Sequence, residues 1–213
     1  MKKILLIGDS IRIGYDRYVK MAFEGEAQVY YPDENCRFTG YIMRNLHLWQ
    51  KELGCGSDID LVHCNAGLWD DLLMLDGKPH TPLHVYRENI SRICDFIGIL
   101  FPNAKMLFAT STPVRNGDEA GKPLWRCNAD TEAYNAAAAE TVLAHGGEID
   151  DLYAVAARLP DEAHSDDTHY YTPLGTEALA GAVISAIAGA LGIPPRPLDY
   201  AALFTEAENV IGH

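Results

Sequence analysis

The chain has 213 residues, with 17 Lys and Arg against 30 Asp and Glu, and so a formal charge of −13. That length suits one domain, and a 48% apolar share is enough for a packed core and far too high for disorder. The acid excess argues against a surface built to neutralise phosphates or anionic headgroups, so neither nucleic acid nor a membrane is expected as a partner.

In chain order, Lys3–Ile7 is a short apolar run suited to a strand buried on both faces. Lys2 and Lys3 precede it as in a signal peptide, but the run is only four residues and meets Asp9, whereas a secretory core needs roughly 7–15. Arg12–Glu24 reads as the first helix, and Ala27–Tyr31 as the second strand. Gly40–Leu53 places Ile42, Leu46, Trp49 and Leu53 on one helical stripe, and Asp60–Cys64 follows as a strand. Pro82–Phe101 aligns Tyr86, Ile90, Ile93, Ile97 and Leu100, with Pro82 near the helix start. Ala104–Ala109 is the fourth strand. Asn128–His145 is an alanine-rich helix stopped by Gly146-Gly147, Glu148–Ile149 a short fifth strand, and Pro173–Leu191 the last helix, closed by Gly192.

Strand and helix alternate throughout, which predicts an α/β fold of about five parallel strands with helices on both faces. The boundaries expected are a domain over residues 1–192 and a proline-bearing tail over 193–213, packed on the domain or on a neighbouring subunit; no oligomer is indicated. No run of 18 apolar residues is present, and the five cysteines (Cys36, Cys55, Cys64, Cys94, Cys127) are scattered with no CxxC pair. A cytoplasmic setting with reduced thiols is expected. Two long connections, Leu68–Thr81 and Thr110–Cys127, follow the third and fourth strands, where such folds place ligand contacts.

Two short segments carry chemistry. Gly8-Asp9-Ser10 ends the first strand, so the Ser10 hydroxyl lies at the carboxyl edge of the sheet; the plainer alternative is that Ser10 caps the following helix. Asp166-Asp167-Thr168-His169 precedes the last helix, and a carboxylate three residues upstream can hold one ring nitrogen of a histidine that acts as a base. The alternatives are a solvated acidic loop, or His164, Asp166 and His169 as metal ligands. That set lacks a convincing further ligand, so no metal and no cofactor are expected.

Taken together, these segments resemble the SGNH, or GDSL-like, family of serine esterases and acylhydrolases over roughly Lys3 to Leu191. Gly8, Asp9 and Ser10 match its first block, with Ile11 where leucine is usual. Gly40, in Asn35-Cys36-Arg37-Phe38-Thr39-Gly40, matches its second, and Asp166 and His169 match its D-x-x-H. In the third block, G-x-N-D, Gly67 and Asp70 align but Trp69 replaces the asparagine. The resemblance implies a three-layer α/β/α, flavodoxin-like fold and a serine hydrolase acting on a small-molecule ester. It implies a Ser10, Asp166, His169 triad and an oxyanion hole from the Ser10 and Gly40 backbone N–H groups. Asn65, two residues before Gly67, is the expected substitute for the missing amide donor. Trp69, Arg115, Trp125 and Tyr170 are weaker candidates for substrate contacts. Small acyl groups on a polar or carbohydrate-like alcohol are expected, with lysophospholipase or thioesterase activity by the same mechanism as a variant. A non-catalytic flavodoxin-like binding module is the alternative from another class.

Overall fold

The computed structural model describes residues 1–115 and 124–204; part of the long connection after the fourth strand and the end of the expected tail lie outside the described residues. Five strands, β1 (Lys2–Ile7), β2 (Ala27–Tyr30), β3 (Leu61–Asn65), β4 (Lys105–Ala109) and β5 (Glu148–Asp150), form one sheet in the order β2-β1-β3-β4-β5. Every pairing is parallel. The connecting helices are α1 (Ser10–Ala22), α2 (Thr39–Leu53), α3 (Leu83–Leu100), α4 (Asn128–Ala144), α5 (Leu152–Ala156), α6 (Pro173–Leu191) and α7 (Tyr200–Leu203).

Alternation along the strands divides the core in two. Ile4 and Leu6 of β1 join α1, α5 and α6 in one apolar cluster, while Leu5 and Ile7 join α2, α3 and α4 in the other. The fold is therefore a three-layer α/β/α sandwich with flavodoxin-like strand order. The chain turns back across the sheet at β1, which opens a crevice beyond the carboxyl ends of β1 and β3. Packing there is close. A β-carbon on Gly8 would lie 2.6 Å from Arg12 Cβ and 3.2 Å from Asn65 Cβ, so only glycine fits between β1 and its neighbours.

Local differences from the sequence expectation bear on the site. α1 begins at Ser10, not at Arg12, because Asp9 is its cap: Asp9 Oδ1 accepts the Ile11 N–H at 2.9 Å. β3 runs one residue further than expected, so Asn65 is its last residue and pairs in register with Ala109 of β4. α5 and α7, five and four residues long, are too short to show a helical period. α6 is long and apolar enough to cross a membrane by length and composition alone, but Leu179, Ala180, Val183, Ile184 and Ile187 are buried in the domain core. Beyond it, the Arg196 N–H donates to the Ala22 carbonyl at 2.7 Å, and Tyr200 packs on Tyr18 with ring centroids 5.5 Å apart.

Candidate active site

Ser10 is the first residue of α1, with Asp9 taking the cap. Its hydroxyl is thereby left to other partners, at the positive end of a 13-residue helix. The partner arrives from 159 residues away: His169 Nε2 lies 2.9 Å from Ser10 Oγ. His169 Nδ1 is 2.8 Å from Asp166 Oδ2. The other oxygen of Asp166 accepts the backbone N–H groups of Thr168 at 2.7 Å and His169 at 2.8 Å. Burial pushes the Asp166 carboxyl up, but those two N–H groups and the imidazole outweigh it and hold the group below its ordinary value. Asp166 is thus an anion across the neutral range, and both ring nitrogens of His169 are engaged.

Among the backbone N–H groups at this rim without a protein acceptor among the described residues are those of Ser10, opening α1, and Gly40, in the first turn of α2. The start of α2 is held by Asp70, whose oxygens accept the Thr39 N–H at 3.0 Å and the Thr39 hydroxyl at 2.6 Å. Asn89 Nδ2 then donates to the same hydroxyl at 2.9 Å. Asp70 itself rides on a turn in which the N–H groups of Asp70 and Asp71 both donate to the Gly67 carbonyl, at 2.8 and 2.9 Å.

The remaining expected residues divide. Asn65 does not offer its amide to the rim. As a residue within the β3 ladder it is fully buried, Nδ2 donates to the Ala109 carbonyl at 3.2 Å, and Oδ1 has no partner. Trp69 is partly exposed, and its indole N–H has no acceptor among the described residues. Trp125 is also partly exposed and bridges to Leu73, whose N–H donates to the Trp125 carbonyl at 3.0 Å, so the two long connections are stitched together. Tyr170 is buried, its hydroxyl donates to the Pro113 carbonyl at 3.0 Å and its ring packs on His164, while it lines a small recess with His169 and Tyr171. Arg115 is not free for an anion. Its guanidinium forks onto the Asp161 carboxylate at 2.9 and 3.1 Å, which ties the loop after β4 to the segment leading into Asp166.

Two neighbours went unmarked in the sequence. Tyr171 stacks on His169, and Arg126 donates through Nε to the Leu68 carbonyl and lies 3.7 Å from Asp71 Oδ1. Neither position carries a periodic or motif signal; each matters only through a contact made across the fold. Burial pushes the Asp9 carboxyl up to about 6 and the Asp71 carboxyl up to about 7, against the pull of Arg126 on both. Buried carboxyls therefore lie close to Ser10, with the Arg12 and Arg126 guanidiniums among them. Among the described residues no cluster of His, Cys, Asp and Glu could hold a metal ion.

No protein-family model matches the sequence, and no curated protein does. Solved structures do resemble it. A lipase/acylhydrolase from Enterococcus faecalis superposes with a TM-score of 0.69 at 22% identity, covering 93% of this chain and 100% of that one. A protein described as a GDSL-like lipase from Parabacteroides merdae gives 0.68 at 14%, covering 90% and 95%. The acetyl xylan esterase AlAXEase gives 0.66 at 15%, covering 87% and 99%. The chain thus has the fold of GDSL-like lipases and acylhydrolases over nearly its whole length.

Proposed function

We propose that this protein is a serine hydrolase that cleaves carboxylic esters through an acyl-enzyme. One observation carries the reading: the Ser10 hydroxyl, the His169 imidazole and the Asp166 carboxylate form an unbroken hydrogen-bonded line, 2.9 Å and 2.8 Å long at its two links. A serine hydroxyl is a weak nucleophile near neutral pH. It needs a base within about 3 Å to accept its proton as it attacks. His169 Nε2 is that base, and Asp166 fixes the tautomer and stabilises the imidazolium. The oxyanion of the tetrahedral intermediate is received by the idle N–H groups of Ser10 and Gly40 at the starts of two helices. His169 then protonates the leaving alcohol, and a water activated by the same base releases the acid.

For the substrate we propose a small acyl group, acetyl foremost, on a polar or carbohydrate-like alcohol. The likeness to an enzyme named an acetyl xylan esterase and the partly exposed Trp69 and Trp125 on the two rim connections support this. A fluorophosphonate probe tests the reaction class. Wild type should be labelled, and Ser10→Ala should lose labelling and at least about 10³ of its esterase rate. A folded wild type that resists the probe would leave only a binding module. A panel of p-nitrophenyl esters of graded length beside acetylated sugars tests the substrate, with the acetyl compounds expected to turn over fastest.

A further inference from the structure

Tyr171 touches both chain segments whose meeting the chemistry above requires. Its ring lies flat against the His169 imidazole, with centroids 4.6 Å and planes 16° apart. Its hydroxyl reaches to the other segment and donates to the backbone carbonyl of Ser10 at 2.6 Å. α1 is shaped to admit it: a β-carbon on Gly14 would meet Tyr171 Cε1 at 2.7 Å, so the ring occupies room that only glycine leaves. The loop bearing His169 is closed behind it. The Tyr171 N–H donates to Ser165 Oγ at 3.2 Å, and the Ser165 N–H donates to the His169 carbonyl at 2.9 Å. Burial, aided by the charge of Asp9, pushes the phenol far above its ordinary value, so the hydroxyl remains a donor throughout the working pH range.

We infer that Tyr171 is a positioning residue, a strut between α1 and the His169 loop that sets the distance from nucleophile to base. Its ring also offers a π face to the imidazolium that forms when His169 takes the serine proton. The inference rests on the Ser10, Asp166, His169 reading. The two parts separate by substitution, because Tyr171→Phe keeps the face and loses the strut, whereas Tyr171→Leu loses both.

The experiment compares the full chain and both variants on p-nitrophenyl acetate and on a fluorophosphonate probe, with folding checked by circular dichroism and thermal melting. Misplacing a reacting group by an ångström can cost about 10²-fold in rate, so Tyr171→Leu should lose about 30–100-fold in kcat and Tyr171→Phe about 3–10-fold. KM should stay within about twofold of wild type for both, and labelling rates should fall in step with kcat, because the loss lies in attack and not in substrate binding. A folded Tyr171→Leu with wild-type kcat overturns the inference, as does a loss that appears in KM alone. Should the leucine variant fail to fold, Tyr171→Phe decides, and an unchanged kcat there removes the strut. If wild type itself takes no label, the parent reading falls and this one with it. A labelled wild type beside an indifferent leucine variant sinks this one alone.

Discussion

In the proposed reaction a tetrahedral intermediate needs its donors placed in advance, and the Ser10 and Gly40 N–H groups are the two proposed. The third, a carboxamide in the motif that this sequence resembles, has no direct counterpart. Asn65 is shut beneath the rim with its amide on the Ala109 carbonyl, whereas the Trp69 indole N–H stands at the motif position, partly exposed and without an acceptor among the described residues. Removing one such donor typically costs about 10²–10³ in rate. We propose the Trp69 indole N–H as the third donor, so Trp69→Phe, which deletes the N–H and keeps the ring, should lower kcat at least tenfold. Asn65→Ala should leave kcat within about threefold but destabilise the fold by about 1–3 kcal/mol, because it leaves a buried carbonyl unpaired. Steady-state kinetics and urea unfolding of the two variants check both halves. Full turnover in Trp69→Phe would exclude the indole as the third donor.

At the scale of elements, the start of α2 is what the Gly67–Asp71 turn exists to hold. α2 has no side-chain cap of its own, and Phe38 at its cap position offers no acceptor. Asp70 supplies the missing acceptor from another connection, 31 residues away, and Asn89 of α3 completes the clamp on Thr39. The Gly40 N–H inherits its direction from that clamp. Asp70→Ala should cost about 1–3 kcal/mol in urea unfolding, since it orphans a helix N–H and a hydroxyl. Its kcat should fall more than its KM rises, since what loosens is the proposed oxyanion donor, the Gly40 N–H. Equal stability of wild type and variant would show that α2 needs no such anchor.

For the molecule as a whole, buried acids set the pH response. Burial pushes Asp9 and Asp16 up to about 6 and Asp71 up to about 7, so each binds its proton more tightly folded than unfolded. Groups raised in this way contribute stability that is full below about pH 4 and is lost as pH rises through 6–7. Asp166, held below its ordinary value, works in the opposite sense and only in acid. The melting temperature should therefore fall between about pH 4 and pH 7. At roughly 2–4 °C per kcal/mol for a chain of this size, a drop of about 5 °C or more is expected. Asp71→Asn keeps an acceptor for Thr131 and should flatten the decline. A flat profile in wild type would mean that these carboxyls are hydrated or paired more fully than the structure shows.

Strand and helix alternation, with helix stops at Gly146-Gly147 and Gly192, was enough to predict a parallel sheet covered on both faces, because burial imposes its period wherever an element is long. The order Ser10, Asp166, His169 was readable for a similar reason, since each lies in a short motif beside a strand end or a helix start. Residues whose part depends on contacts between distant segments were not readable. Asn65 changed meaning when β3 ran one residue further, and Arg115 and Tyr170 were claimed by Asp161 and Pro113. Tyr171 and Arg126 gained theirs from neighbours 161 and 58 residues away. Local sequence determines which element a residue joins, because backbone propensity and apolar period act over a few positions. Which polar partner that residue meets is set by how the layers close, and that is decided only in three dimensions.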